Sequence, residues 1–233
     1  MNPSCSNAWR WYVRILAVVL PVLFSVGLAG HLLPGTAPWM LWLTPFYLLF
    51  TGVGVAAPAV AAGGRPMALW MGMAYAFTFW MEAVGVATGA VFGEYAYGPV
   101  LGWAWRGVPL IIAFNWAMVV NGMMSLATRI VPAGAGAWRR PLLILLTAGG
   151  ATLFDFIMEP VAIRLDYWTW AQGSIPLQNY ASWFGLAALL AVIHPCLRRP
   201  ASAGTSSWLS VLYVALQALF FAALRLGWHR GGP

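Results

Sequence analysis

RPLLILLTAGGATLFDFIMEPVAIR, residues 140–164, is long and apolar enough to cross a bilayer, yet it carries two acids, Asp155 and Glu159. A spanning helix needs about 20 mostly apolar residues. A carboxylate at the bilayer centre costs roughly 2.5–3.5 kcal/mol on insertion scales, so acids there are kept by function. The stretch therefore says that the chain is membrane-embedded and that its acids have a task.

Similar runs recur from end to end, at about 10–33, 38–62, 66–91, 108–131, 179–197 and 207–228. Pro34, Gly63-Gly64-Arg65-Pro66, Pro109, Pro132, Pro141, Pro176 and Pro200 punctuate them, as Pro and Gly do between helices. Composition agrees: 62% of the 233 residues are hydrophobic and 7% charged, against about a quarter charged in a soluble domain. We expect an all-α polytopic membrane protein of about seven transmembrane helices, with residues 1–233 forming one membrane domain. The first run exceeds a signal-peptide core and lacks an A-x-A cleavage site, so it is read as a helix.

All twelve cations are Arg and the net charge is +7. Arg10, Arg14, Arg65, Arg129, Arg139, Arg140, Arg198 and Arg199 fall at one set of helix ends, and Arg106, Arg164, Arg225 and Arg230 at the other. The excess marks the cytoplasmic side. This places the N-terminus inside and the C-terminus outside, in a multi-pass protein of the inner (cytoplasmic) membrane. Arginines at helix ends contact lipid headgroups; they form no patch for nucleic acid. Cys5 and Cys196 make neither a disulfide framework nor a metal-binding spacing.

The acids are Glu82, Glu94, Asp155, Glu159 and Asp166. At 1.5 Å rise per residue, Glu82, Asn115, Asp155 and Glu159 come roughly 7–15 Å below the outer surface, where they can form one polar cluster. Asp155 and Glu159, four apart, share a helix face. Two close carboxyls in a low-dielectric site cannot easily both ionise, and a retained proton is what a carboxylic general acid needs. The alternative is that Arg164 or Arg106 pairs with these acids and they only hold helices together.

Other chemistries drop out. A retinal Schiff base needs Lys, and the chain has none; His31, His194 and His229 are scattered rather than boxed. No G-x-S-x-G elbow, phosphate-binding glycine loop or DDxxD run is present. Acid–base chemistry on an apolar substrate remains, without cofactor or metal. Protonating an isolated C=C gives a carbocation, which aromatic faces stabilise. Trp80, Tyr95, Tyr97, Trp103, Trp105, Trp168, Trp170 and Trp183 are the candidate faces, the other reading being an interfacial aromatic belt. Most of them lie in two long outer loops, 92–109 and 166–176. Each loop has a Trp-x-Trp pair followed by Pro-Leu at the next helix start, which suggests a degenerate parallel repeat.

The run from Glu82 through Gly93-Glu94-Tyr95-Ala-Tyr97-Gly98, continuing to Gly107-Val-Pro109-Leu and Asn115-Trp116, resembles the carotenoid 1,2-hydratase family of bacterial and archaeal membrane proteins. Asp155-Phe-Ile-Met-Glu159-Pro160, followed by Tyr167-Trp168-Thr-Trp170 and Ile175-Pro176-Leu-Gln-Asn179, resembles its second signature. The likeness covers about residues 66–195. One departure is Ser182 before Trp183, where the family pattern has Gly. The resemblance implies addition of water across the terminal 1,2 double bond of an acyclic carotenoid end group. Asp155, Glu159, Glu82 and Asn115 would be catalytic, with acid and base roles left open. Tyr95, Tyr97, Trp103, Trp105, Trp168, Trp170, Asn179 and Trp183 would line the substrate, which enters from the bilayer. Association with other enzymes of carotenoid synthesis stays open. So do two other readings: a cyclase using the same protonation, and a non-enzymatic proton-linked transporter or carotenoid-binding protein.

Overall fold

The computed structural model describes residues 3–198 and 205–230. Arg199 and the side chains of Cys5, Arg198, His229 and Arg230 lie outside the described residues. The chain is predominantly helical. α1 spans Pro3–Leu32, α2 Ala37–Thr88, α3 Leu110–Ile130, α4 Arg139–Arg164, α5 Leu177–Val192, α6 Pro195–Arg198 and α7 Thr205–Arg230. Five of these helices are long and apolar enough to cross a membrane: α1, α2, α3, α4 with its preceding turn, and α7.

α2 covers 52 residues as two helical halves that meet at a kink. At 1.5 Å per residue it would extend about 78 Å, far more than the roughly 30 Å hydrocarbon core. Gly64 breaks it with φ 62° and ψ −156°, a left-handed backbone that Gly adopts without steric cost. Pro66 then suits the first turn of the second half, where no backbone N–H is needed. The second half ends at Thr88, short of residue 91, because Gly89 takes φ 67° and closes the helix onto the Gly85 carbonyl at 2.8 Å.

α5 has 16 residues, about 24 Å of rise, and so is shorter than the apolar run at 179–197. His194 is the reason. Its buried ring packs edge-on to Trp70 at 4.3 Å and meets Asn121 Oδ1 at 3.3 Å, and Pro195 follows. α3 sits at the centre, buried along most of its length and packed on α2, α4, α5 and α7. Arg129 lies over the Trp208 ring at 5.8 Å and Arg164 over Trp228 at 4.3 Å. α7 thus runs from the α3 C-terminus to the α4 C-terminus. Val18, Val22, Phe50, Val53, Leu145, Leu153 and Leu219 are among the many large apolar side chains exposed on the outside, more than a water-soluble monomer ordinarily presents.

Four short strands cap one end of the bundle: β1 Tyr95–Tyr97, β2 Ala104–Trp105, β3 Val108–Pro109 and β4 Trp168–Trp170. β2 pairs with β3. β1 pairs antiparallel with β4, in the register Tyr95↔Trp170 and Tyr97↔Trp168. Pro109 and Pro176 take extended backbone and start α3 and α5, so the two Pro-Leu steps are equivalent. The repeat differs from the sequence pattern in one respect. The counterpart of Trp168-x-Trp170 is Tyr95-x-Tyr97, and Trp103-x-Trp105 belongs to a separate hairpin.

Candidate functional site

Glu82 and Glu159 are each clasped by the strand that follows their own helix. Glu82 stands in the last two turns of α2 and accepts a short hydrogen bond from the Tyr95 hydroxyl, with Tyr97 also in reach. Glu159, on α4, accepts at Oε2 from the indole N–H of Trp168 (3.0 Å) and of Trp170 (3.1 Å). Alternation along a strand sends residues i and i+2 to one face, which is why an aromatic-x-aromatic triplet can grip one acid. Because β1 and β4 pair, the two clasped acids are brought to one chamber.

Asp155 lies one turn before Glu159 on α4, and α5 joins the pair. Asn179 Nδ2 donates to Asp155 Oδ2 at 2.8 Å and to Glu159 Oε1 at 3.2 Å. Glu82, Asp155 and Glu159 are 2%, 1% and 2% exposed. The arginines considered as their partners are engaged elsewhere. Arg106 lies over Trp105 at 5.4 Å and Trp80 at 5.7 Å, and Arg164 over Trp228. The acids are therefore held by neutral N–H and O–H donors, as buried carboxyls must be when no cation compensates them. Tyr95 and Tyr97 lie outside the long helices. Burial, then the Glu82 carboxyl, pushes both phenols above their usual range, so they remain donors.

Between these groups is a small space of about 20 Å³, room for one water molecule. Its aromatic wall is a stack: Trp116 lies on Trp183 at 3.6 Å and 14°, and Trp183 on Phe92 at 4.8 Å and 24°. Ser182 Oγ donates a short hydrogen bond to the Val91 carbonyl, and Gln178 donates to the Ala90 carbonyl at 2.6 Å. These bonds fix the loop that carries Phe92 onto the start of α5. Ser182 thus helps to hold the wall in place.

Of the residues singled out from sequence, Glu82, Asp155, Glu159, Tyr95, Tyr97, Trp168, Trp170, Asn179 and Trp183 surround this chamber. Phe92, Ile112, Trp116 and Met158 do so too and had not been singled out. Trp103 and Trp105 do not; they are 85% and 53% exposed. Trp105 stacks on Phe79 at 5.4 Å, and Trp103 borders an outer groove of about 810 Å³ with Trp42 and Phe46. Trp80 is also outward-facing. Asn115 lines a neighbouring cavity of about 230 Å³, which shares Ile112, Met158 and Trp168 with the chamber. One residue step turns an α-helix by about 100°, so Trp116 faces the chamber while Asn115 faces the next space.

The fold and the site define a helical integral-membrane protein with three buried acids, two of them clasped by strands and the third held by Asn179. Residues 43–230 match the family model described as carotenoid biosynthesis protein. The chain belongs to that family. It is 29% identical over 192 residues to bisanhydrobacterioruberin hydratase of Haloarcula japonica, an alignment covering 76% of this chain. The chain spans 62% of that relative's length. No solved structure matches it.

Proposed function

We propose that this chain is a carotenoid hydratase, a hydro-lyase working without a cofactor on the terminal 1,2 double bond of an acyclic end group. The observation that carries the reading is the set of three buried acids and Asn179 around a space sized for one water. The name of the Haloarcula japonica relative supports the reaction class.

In this reading the carotenoid occupies the cavity of about 230 Å³, and its terminal double bond reaches the acids where that cavity meets the chamber, at Ile112, Met158 and Trp168. Asp155 gives its proton to C2, and the positive charge develops at the tertiary C1. Donor count supports that role. Glu159 accepts from three N–H groups and Asp155 from one, and donors aimed at a carboxyl favour its charged form. Glu159 is thus the standing carboxylate, opposing the developing cation together with the Trp116–Trp183 faces. Glu82, oriented by Tyr95, takes one proton from the attacking water as its oxygen bonds to C1. The product is a tertiary 1-hydroxy carotenoid. Positioned acid and base groups of this kind contribute about 10²–10⁴-fold each.

The same reading has one membrane domain with seven spans, counting the two halves of α2 and the short α5. The N-terminus faces the cytoplasm of the inner membrane, following the arginine excess. The test is expression in a lycopene-producing host, with pigments followed by chromatography and mass detection. A product heavier by one water is expected, and it disappears in Asp155→Asn while the protein stays in the membrane. A product of unchanged mass means cyclisation. No new pigment from the wild-type chain, in this host and in one that makes hydroxylated acyclic carotenoids, means a binding or transport role.

A further inference from the structure

The cavity beside the chamber has an unusual wall. It is built mainly from apolar side chains such as Phe24, Leu48, Phe220 and Phe221. Yet every buried side-chain nitrogen or oxygen without a hydrogen-bond partner among the described residues belongs to a residue lining it: His31 Nε2, Tyr47 Oη, Asn115 Oδ1, and both amide atoms of Gln217. Gln217 is 2% exposed. These groups come from α1, the first half of α2, α3 and α7. Buried polar groups are nearly always paired, so an unpaired set on one wall asks for an occupant.

Water alone fits poorly, because most of the surface offers it no partner. A hydrocarbon alone fits poorly too, because it would leave the amide, phenol and imidazole bare at the cost of their lost hydration. A chain that is apolar along its length and carries a hydroxyl satisfies both. A hydroxyl donates once and accepts twice, and Gln217 and Tyr47 each offer both complements. Access is from the side. Leu23, Val26 and Leu43 line the cavity and are also exposed, so it opens between α1 and α2 onto the apolar outer surface. Its inner end is the wall shared with the acids.

We propose that this cavity is the seat of an isoprenoid end bearing a hydroxyl, which Gln217, Tyr47 and Asn115 hold one side-chain layer from Asp155. The isoprenoid part rests on the hydratase reading; the hydroxyl part rests on the unpaired groups alone. The hydroxyl has two sources, the alcohol the reaction makes or one already on the substrate near its reacting double bond.

The test uses the full chain in lipid nanodiscs, as wild type and in the catalytically silent Asp155→Asn background. Affinities for lycopene and for its 1,1′-dihydroxy derivative are measured by quenching of tryptophan emission. The hydroxylated pigment is expected to bind roughly 5–10-fold more tightly, the size of one or two net hydrogen bonds. Gln217→Leu and the more conservative Tyr47→Phe should each cut that preference at least in half. They should leave thermal stability unchanged or raised, since in the empty protein they remove groups that have no partner. Equal affinities for the two pigments overturn the seat, and so does a Gln217→Leu variant with undiminished preference. Hydration without the preference removes the seat and leaves the hydratase; the preference without hydration does the reverse. Slowing of lycopene turnover by the dihydroxy pigment identifies the product as occupant. Faster turnover of a carotenoid with a hydroxyl near an intact terminal double bond identifies the substrate. Either result supports the seat.

Discussion

Replacing Trp168 or Trp170 by Phe keeps an aromatic ring and deletes one N–H donor to Glu159. The two indoles converge on the same oxygen, Oε2, at 3.0 and 3.1 Å, while Asn179 holds Oε1. A hydrogen bond to a charged acceptor is worth about 1.5–3 kcal/mol, and to a neutral one about 0.5–1.5 kcal/mol. If Glu159 is a carboxylate, each single variant should lose about 2 kcal/mol. In a chain of this size that lowers the unfolding midpoint by roughly 4–8 °C. The double variant strips the oxygen completely. It should exceed the sum of the singles by about 1 kcal/mol, since residues sharing one acceptor couple. Thermal melting in mild detergent, with pigment yield measured alongside, reads both. Singles that melt within a degree of wild type, with unchanged pigment yield, would refute the picture of a charge held by donors and the division of labour between Glu159 and Asp155.

Three further outcomes follow from the geometry. Gly85→Ala places a Cβ 2.6 Å from Phe92 and 3.4 Å from the Tyr95 hydroxyl. It should displace the clasp on Glu82, cost about 1–3 kcal/mol by overpacking and lower pigment yield at least tenfold in the same host. Ser182→Gly removes the bond to the Val91 carbonyl and should cost about 1 kcal/mol in a melting experiment, with a larger relative loss of activity as the Phe92–Trp183 stack loosens. Trp103→Phe and Trp105→Phe alter exposed rings outside the chamber. Initial rates should stay within about twofold of wild type, the size expected for surface changes.

Much of this could be read from the chain because Pro and Gly carry strong local meaning. Pro109 and Pro176 start helices, and Gly64 breaks one, for reasons contained in a few residues. The convergence of Glu82, Asp155 and Glu159 was legible because acids are conspicuous in apolar runs and their depth follows from helical rise. The rest depends on long-range register and helix phase. Tyr95-Ala-Tyr97, rather than Trp103-Ala-Trp105, faces Trp168-Thr-Trp170 through pairing across more than seventy residues, and no local pattern states that register. Ile112 gave no signal because a stretch apolar all round offers no contrast by which to orient it, and Met158 and Trp116, though beside polar residues, carried no sign of the direction they face. Asn115 stood out for its polarity, yet one step along α3 separates its direction from that of Trp116.

The pairing of β1 with β4 also bears on how the protein comes into being. The first clasp is made by residues 82–97 and the second by residues 159–170, with Asn179 and Trp183 arriving later still. During synthesis the early acid would pass into the bilayer long before its companions exist. Tyr95, from the same segment, is the donor that can serve Glu82 while the ribosome completes the second half. On this view a self-contained acid-and-strand unit, present in each half of the chain, is what lets such a costly group survive insertion.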